Sequence, residues 1–418
     1  MYDCIIVGAG PAGSHTAAKL AKMGFSVIIL EEHREIGIPA HCTGIVGENV
    51  ITGFNIPENL ILKRIDSVRV HSPSKEKLIL PTPIKPFVID RVLFDRHLFQ
   101  CATEAGADYL KSARVEDIQQ KKDSVSVFYK NGKSSGSVEG KICIVAVGAM
   151  SPLSRRIGIS GGNLSYGSAQ LDVEIEEIEG IELFVGNEIA PGSFGYAVST
   201  NGKIAKVGLI ARGNAAGRLN SLLDSDFLKE HVVKKCTPPR FRRMPFGIVK
   251  NSVIGRILSV GDTACQVKST TGGGVYYGMK SAEILSNTIL ESVVNGDFSL
   301  SSLKKYDHRW KKEIQTEISV GLFLRKFLEN VNDDWWNRMP GILRSPGMKS
   351  LIEDYKEFDH HRGFILSFFK GMGPGRIMSD IMKSITGLVS GMSCRENKTF
   401  KEPHDELSVS IPEFRANI

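Results

Sequence analysis

Three glycines near the start of the chain have the spacing that a dinucleotide-binding turn requires. They lie in Gly8-Ala9-Gly10-Pro11-Ala12-Gly13, after the apolar run Cys4–Val7 and before a helical pattern. Gly8 permits a tight turn, Gly10 lets the backbone approach a pyrophosphate, and Gly13 lets helix and strand pack closely. A helix that begins there presents unpaired N–H groups and favours an anion. The segment, Ala12 included, predicts a Rossmann-type cofactor site.

An acidic pair follows the next predicted strand. The apolar run Ser26–Leu30 ends at Glu31, 23 residues after Gly8. A carboxylate in this position accepts hydrogen bonds from the hydroxyl groups of an adenosine ribose. We therefore assign Glu31 and its neighbour Glu32 to the cofactor site. The fingerprint by itself leaves both NAD and FAD open.

A second glycine cluster lies far along the chain. The apolar run Ile257–Val260 leads into a Gly-Asp pair, and a glycine-rich turn then precedes a predicted helix over 275–294. Glycines at such a turn let backbone N–H groups approach a ligand closely. The cofactor-binding candidates in this region are Gly261, Asp262, Gly272, Gly273 and Gly274.

Three segments resemble a flavoprotein family that includes aromatic hydroxylases and geranylgeranyl reductases. Arg91–Leu98 is similar to its R-x-x-F-D-x-x-L segment, and Gly261-Asp262 to its second FAD motif. Gly148 lies in a segment like its D-G-x-x-S-x-x-R signature, although Val147 stands where the Asp is expected. The resemblance implies FAD as the cofactor, a contact of Asp262 with the ribityl chain, and cofactor contacts for Arg91, Gly148 and the glycines 272–274.

Three further segments resemble the archaeal geranylgeranyl reductases in particular. Glu35–Gly44 is similar to their E-I-G-x-P-x-x-C-x-x-G segment, with the last glycine one place earlier. Gln266–Gly274 is similar to their Q-V-K-P-T-T-G-G-G turn, and Ala190–Ser199 to their A-P-G-G-Y-x-W-x-F-P strand. The resemblance implies that Cys42 lies beside the flavin as a catalytic residue. A buried cysteine with a packing role is the alternative.

This resemblance implies an FAD-dependent reductase that saturates C=C bonds of geranylgeranyl chains, in archaeal-type membrane ether lipids or their precursors. Phe194 and Tyr196, in the third of these segments, are the implied substrate contacts. Reduced FAD supplies the hydride, so the enzyme needs an external electron donor. Ferredoxin, a reduced deazaflavin and NAD(P)H are all open as that donor.

Other functions remain as alternatives. Val147 and the Cys42 segment disfavour a flavin-dependent monooxygenase or halogenase. The tryptophan motif of halogenases is also missing, since the first Trp of the chain is Trp310. An electron-transfer flavoprotein dehydrogenase would need a cysteine cluster for an iron–sulfur centre, which the sequence lacks. A non-enzymatic flavin-binding redox sensor would retain flavin and turn over no prenyl substrate.

The order of these elements predicts an α/β plus antiparallel β architecture. It consists of a Rossmann-type FAD-binding domain, an inserted β-sheet substrate domain and a C-terminal helical region. The FAD-binding domain is expected in three parts, 1–70, 101–160 and 251–300. The remaining segments are substrate-domain strands and the start of a helix over 71–100, the substrate sheet over 161–250, helices over 301–392 and a polar tail over 393–418.

Composition narrows the setting and the partners. Of 418 residues, seven are Cys without C-x-x-C spacing, which favours neither a disulfide framework nor a metal site and suits a cytoplasmic protein. The net charge of +7 is scattered, so no nucleic-acid partner is expected. A basic amphipathic stretch from Phe364 to Leu388 leaves open a peripheral contact with the inner face of the cell membrane.

Overall fold

The computed structural model describes residues 1–149, 151–159, 161–162, 166–176, 178–200 and 202–371. In chain order the strands are β1 Tyr2–Val7, β2 Val27–Leu30, β3 Ile45–Val46, β4 Ile61–Arg64, β5 Ser67–His71, β6 Lys77–Pro81, β7 Phe87–Ile89, β8 Asp108–Leu110, β9 Arg114–Gln120, β10 Val125–Asn131, β11 Ser134–Val145, β12 Tyr166–Ile175, β13 Ile181–Phe184, β14 Phe194–Ser199, β15 Ile204–Arg212, β16 Val232–Lys235, β17 Arg240–Arg243, β18 Val253–Ile254 and β19 Ile257–Ser259. The helices are α1 Pro11–Lys22, α2 Glu48–Ile51, α3 Arg91–Glu104, α4 Pro152–Arg156, α5 Ala215–Leu223, α6 Asp226–His231, α7 Val275–Val294, α8 Leu300–Leu328, α9 Asp333–Leu343, α10 Pro346–Asp354 and α11 Arg362–Gly371.

The first sheet has a parallel core in the order β19-β11-β1-β2-β8, with β18, β9 and β10 added by antiparallel pairing. Its central strands β1, β2 and β19 and the end of β11 are buried apolar runs, as is typical of parallel strands that are covered on both faces. Val7 pairs with Val145 on one side and with Leu30 on the other, so the three strands end together. Their carboxyl ends form the edge from which the loop before α1 leaves the sheet.

The second sheet is mainly antiparallel, in the order β16-β12-β15-β14-β13-β5-β6, and β17 also pairs with β12. Ala169, Leu171 and Val173, on one face of β12, are buried in the cluster that includes α5, and Ser168 and Gln170 on the other face are buried as well. A third, small sheet contains β3, β7 and β4. The strands between residues 67 and 81 join the second sheet, whereas residues 91–100 begin α3, which packs against α1.

Helices follow the sheets from Leu300 onward. The long helix α8 buries Tyr306 and Trp310 in the same core cluster as β1 and α7. The Trp310 indole N–H donates to the Ser252 hydroxyl over 2.9 Å, which satisfies its polar atom inside the core. The structure thus confirms the predicted fold class, including the helical region up to residue 371. The rest of that region and the polar tail lie outside the described residues.

None of the helices in the described part of the chain combines the length and the apolar character needed to cross a bilayer.

Candidate active site

A cleft of about 760 Å³ lies at the carboxyl ends of β1, β2 and β11. Open α/β sheets bind ligands at this edge. The structure brings most of the predicted residues together here: the cleft is lined by Gly8, Gly10, Ala12, Glu31, Glu32, Cys42, Arg91, Gly148, Gly261, Asp262, Gly272 and Gly274. Gly13, Gly273, Phe194 and Tyr196 are not among the lining residues.

The first loop, residues 8–13, is shaped by its glycines. Gly8 has φ +105°, and a Cβ there would lie 2.5 Å from the Ala146 carbonyl oxygen. A Cβ on Gly13 would lie 2.0 Å from the Gly8 carbonyl oxygen, so a side chain there would push the turn and α1 apart. A Cβ on Gly10 would meet no protein atom within 4 Å, because this residue borders the cleft. These positions agree with the roles predicted for them. Gly8 allows the tight turn, Gly13 the close packing of helix and strand, and Gly10 the approach of a pyrophosphate.

Glu31 ties the end of β2 to the first loop. Its carboxylate accepts the Ala9 N–H over 2.7 Å and the His33 N–H over 2.9 Å, and one oxygen lies 2.6 Å from His33 Nδ1. The residue is 9 % exposed and borders the cleft. Glu31 therefore has a second function besides the predicted ribose contact, since it also fixes the loop.

The second loop, residues 261–274, crosses the cleft and leads into α7. Gly274 leaves room for the Asp262 side chain. A Cβ at position 274 would lie 2.6 Å from the Asp262 carboxylate. Burial raises the pKa of Asp262, and the charges of Arg242 and Arg91 partly offset this effect. The first N–H groups of α7, after Gly274, have no partner within the helix. The loop thus brings a carboxylate and the start of a helix to the same cleft.

Buried charges from the C-terminal region hold the second loop in place. Lys268 forms an ion pair of 2.9 Å with Asp359, and their side chains are only 6 % and 1 % exposed. The Lys268 ammonium also lies 4.3 Å from the centre of the Phe358 ring, and the Tyr277 hydroxyl donates to the Asp359 carbonyl over 2.8 Å. A buried ion pair of this kind fixes geometry more than it adds stability.

Arg325, on α8, binds the same loop from the other side. Its guanidinium donates to the carbonyls of Ser269 and Thr270, the latter over 2.9 Å. It lies 3.8 Å from the centre of the Phe246 ring and 4.5 Å from that of Tyr166. Burial lowers the pKa of Arg325 to about 10. The cation is thus enclosed between aromatic faces and loop carbonyls.

Two hydrogen bonds of Gln266 complete this support. Its side-chain carbonyl accepts the Gly261 N–H over 2.7 Å, and its amide group donates to the Tyr306 hydroxyl over 2.8 Å. The Tyr306 hydroxyl donates in turn to the Ser259 carbonyl over 2.9 Å. Gln266 and Tyr306 are both fully buried, so Gly261 and the end of β19 before it are tied to α8.

Cys42 is half-buried at the border of the cleft. Burial acts to raise the pKa of its thiol, but the guanidinium of Arg91, the Gly44 N–H and the ammonium of Lys206 together hold the pKa below its ordinary value. The Gly44 N–H lies 3.4 Å from the sulfur, and Lys206 donates to the Cys42 carbonyl over 2.9 Å. Arg91 is itself fixed by a two-pronged bond to Asp95, at 2.9 and 3.1 Å. The surroundings favour the thiolate.

Basic residues of the second sheet also surround this segment. The His41 ring lies 2.9 Å from the Ser168 hydroxyl, and burial together with the charges of Arg242, Arg240 and Lys206 lowers the pKa of His41 to about 4. Sequence reasoning missed Lys206 and Arg242 as neighbours of the cleft. The basic sequence around Arg242 is visible, but only the pairing of β17 with β12 places it there.

The two predicted substrate residues lie away from the cleft lining. Tyr196, on β14, is 6 % exposed and donates its hydroxyl to Gln170 over 2.9 Å. Phe194 packs between two small clusters that contain Val198 and Phe246. Their role in substrate binding stays a prediction.

Sequence comparison identifies the family. A family model described as lycopene cyclase protein matches residues 3–182, which include the first loop and the Cys42 segment. The chain is 30 % identical over 373 residues to the digeranylgeranylglycerophospholipid reductase of Methanosarcina acetivorans, with 84 % of this chain and 90 % of the relative covered. The chain belongs to the digeranylgeranylglycerophospholipid reductase family. A second member, from Methanothermobacter thermautotrophicus, is 28 % identical and covers 84 % of this chain and 93 % of its own length.

Solved structures agree with the fold of this family. A geranylgeranyl bacteriochlorophyll reductase-like protein of Thermoplasma acidophilum superimposes with a TM-score of 0.80 at 19 % identity, over 92 % of this chain and 99 % of its own. A flavin-dependent brominase gives 0.68 at 16 % identity, over 95 % of this chain and 100 % of its own. This chain thus has the same fold as both proteins, and it superimposes better on the reductase-like protein than on the brominase.

Proposed function

We propose that this protein is an FAD-dependent reductase that saturates C=C bonds of geranylgeranyl chains in archaeal-type ether phospholipids or their precursors. The observation that carries the proposal is the convergence of both glycine loops and the Cys42 segment on one cleft, in a chain of this family. An isoprenoid phospholipid is then the substrate. An external donor, either ferredoxin, a deazaflavin or NAD(P)H, supplies the electrons.

The residues of the cleft fit FAD. Gly8, Gly10 and Ala12 would hold the pyrophosphate at the start of α1, and Glu31, with Glu32 beside it, the adenosine ribose. Asp262 would hold the ribityl chain. Arg91, Gly148, Gly272 and Gly274 would border the flavin, with Gly13 and Gly273 shaping the loops. Once bound and reduced by the external donor, FAD would supply the hydride for C=C reduction.

The protein itself must position an apolar chain and deliver a proton to the second carbon of the double bond. Cys42 is our candidate for the catalytic residue, since its thiol borders the cleft beside Arg91. A thiol beside a guanidinium gives up a proton more readily than a free thiol, because the positive charge stabilises the thiolate that remains. Lys206 and Arg91 would act as positioning residues. Lys206 donates to the Cys42 carbonyl, and the guanidinium of Arg91 faces the Cys42 sulfur.

The direct test is incubation of the dithionite-reduced, FAD-loaded protein with a digeranylgeranyl ether phospholipid, followed by mass spectrometry. We expect products heavier by successive pairs of hydrogens. Retained flavin without any mass change would favour the redox sensor, and a product that gains oxygen or halogen when air and halide are supplied would favour the monooxygenase or halogenase.

Cys42→Ser tests the catalytic residue in the same assay. If Cys42 takes part in proton transfer, single-turnover reoxidation by the prenyl substrate slows by about 10-fold or more at an unchanged melting temperature. Cys101→Ser is a matched control, because this half-buried cysteine lies on α3 and does not line the cleft. Full rate with a lowered melting temperature for Cys42→Ser would assign this residue to packing instead.

A further inference from the structure

The strands β16 and β17 lie one after the other along a single edge of the second sheet. Both pair with β12, so this edge is opposite to the one formed by β6. We call residues 232–243 the basic edge. These residues include five basic side chains and no acidic one, in a chain whose net charge is +7. The five are Lys234, Lys235, Arg240, Arg242 and Arg243.

Two large apolar side chains project from the basic edge. Val233 is 64 % exposed and Phe241 is 56 % exposed. Lysine and other charges on an edge strand are common, because they prevent sheet-to-sheet pairing. An exposed phenylalanine and valine among them need another explanation, because they leave apolar area in water. The ion pair of Lys234 with Glu174, at 2.9 Å, is itself largely exposed and leaves the basic character of the edge intact.

This combination matches the chemistry of a membrane surface. Basic side chains near an anionic leaflet are attracted to lipid phosphates, and exposed apolar side chains insert at the boundary of head group and acyl chain. Nucleic acid is a poorer match, since it would leave Val233 without an apolar contact.

The basic edge continues directly into the cleft. Arg242, Arg243 and Met244 border it, and Arg240 donates to the Ala40 carbonyl in the Cys42 segment over 2.7 Å. A phospholipid with two long chains must leave a bilayer before its double bonds can reach a cleft in the protein. Docking through this edge would place the cleft entrance at the lipid surface and shorten that transfer.

We propose that the basic edge docks the protein on the surface of an anionic lipid bilayer. The inference rests on the proposed function for its purpose, but the binding itself needs neither flavin nor turnover. It assigns the contact to β16 and β17 rather than to the amphipathic stretch from Phe364 to Leu388.

The test is flotation of the full-length FAD-loaded protein with vesicles of phosphatidylcholine, alone or with one third phosphatidylglycerol. We expect binding to the anionic vesicles only, and weaker binding at high salt. The triple variant Lys234→Gln, Lys235→Gln, Phe241→Ser should lower the partition coefficient more than tenfold, since each basic residue at an anionic leaflet contributes roughly fivefold.

A matched control carries the same three kinds of change elsewhere: Lys304→Gln and Lys305→Gln on α8, and Ile79→Ser on β6, at the opposite edge of the sheet. All three residues are exposed, Ile79 to 61 %. We expect this variant to bind like the natural protein. Thermal melts of both variants should be unchanged, which excludes misfolding as the cause of lost binding.

Three results would overturn the inference: no binding of the natural protein, equal binding to neutral vesicles, or equal binding of the edge variant. Loss of binding on Arg376→Gln and Lys383→Gln, with the edge variant unaffected, would move the contact to the amphipathic stretch and likewise contradict it. Flotation on the anionic vesicles, together with no mass change of the digeranylgeranyl ether phospholipid in the reduction assay, would refute the proposed function and leave the docking surface standing.

Discussion

Two glycine-rich loops border the same cleft, yet different forces hold them. The loop at residues 8–13 is fixed by backbone geometry: where Gly8 and Gly13 stand, a Cβ would lie within 2.5 Å of a carbonyl oxygen. The loop at residues 261–274 is fixed by side chains from distant parts of the chain, above all Asp359 and Arg325. The first loop is therefore held by close backbone contacts at the ends of β1 and β11 and by Glu31, while the second needs the C-terminal region to be in place.

In the first loop, we expect the largest effect from the addition of a single methyl group at Gly13. Gly13→Ala puts a Cβ 2.0 Å from the Gly8 carbonyl oxygen, so the turn must move. We expect loss of FAD retention, together with a destabilisation of about 1–3 kcal/mol or more from overpacking. Flavin absorbance after gel filtration and urea unfolding measure the two effects.

Gly10→Ala is the control for that experiment. Its Cβ would meet no protein atom within 4 Å, so the unfolding midpoint should stay unchanged while FAD affinity falls. If both variants keep their full flavin content, the first loop does not bind the pyrophosphate of the cofactor. If both unfold alike, the difference drawn between these two glycines is wrong.

The second loop should lose its fixed conformation when one partner of its buried ion pair is removed. Asp359→Leu leaves the Lys268 ammonium uncompensated at 6 % exposure, and we expect a loss of about 3–5 kcal/mol in the free energy of unfolding, with weaker FAD binding. Replacing both partners, Lys268→Met with Asp359→Leu, should recover most of the stability, because two apolar side chains of similar size can occupy the same space. A double variant as unstable as the single one would show that the charge pair itself is required.

The same contrast explains what could be predicted from the sequence. The first loop, Glu31 and helix α7 follow from local patterns of apolar runs and glycines, and the structure has α7 at the predicted Val275–Val294. Asp359 carries no local sign of its role, since its partner Lys268 is 91 residues away. Contacts of this separation depend on how α8 and the following helices pack on the sheet, which no short window of sequence reveals.

Cys42 lies between these extremes. The resemblance singled it out by its place in the sequence, but the two charged side chains that lower its thiol pKa, Arg91 and Lys206, come from α3 and β15. Lys206 pairs with Asp172 in the second sheet, so its approach to the Cys42 segment depends on a register of strands far from residue 42. The resemblance thus singles out Cys42 as a candidate, while its charged neighbours become visible only in the fold.

A smaller effect is expected at Glu31, whose side chain reaches from the end of β2 to the first loop. Glu31→Ala removes the acceptor of the Ala9 N–H and a carboxylate placed for ribose hydroxyls. Hydrogen bonds to a charged group contribute about 1.5–3 kcal/mol, so FAD affinity should fall at least tenfold. Glu31→Gln keeps an acceptor and should lose less. Fluorescence titration of the apoprotein with FAD measures both, and an unchanged dissociation constant in Glu31→Ala would contradict the assignment.

The smallest effect concerns protons at the second loop. The His361 Nδ1 lies 2.5 Å from the Thr270 hydroxyl, and burial, followed by the charge of Lys268, lowers the pKa of His361 to about 3. Because the folded-state pKa lies below the unfolded value of about 6.5, the unfolded chain binds more protons between these values, and stability falls as the pH drops below 6.5. At pH 5 this linkage costs about 2 kcal/mol relative to pH 7.5. His361→Gln should reduce that difference in urea unfolding, whereas His308→Gln, at an exposed position on α8, should leave it as in the natural protein. Equal pH dependence in all three proteins would show that His361 takes up its proton in the folded state and does not hold the second loop as a neutral group.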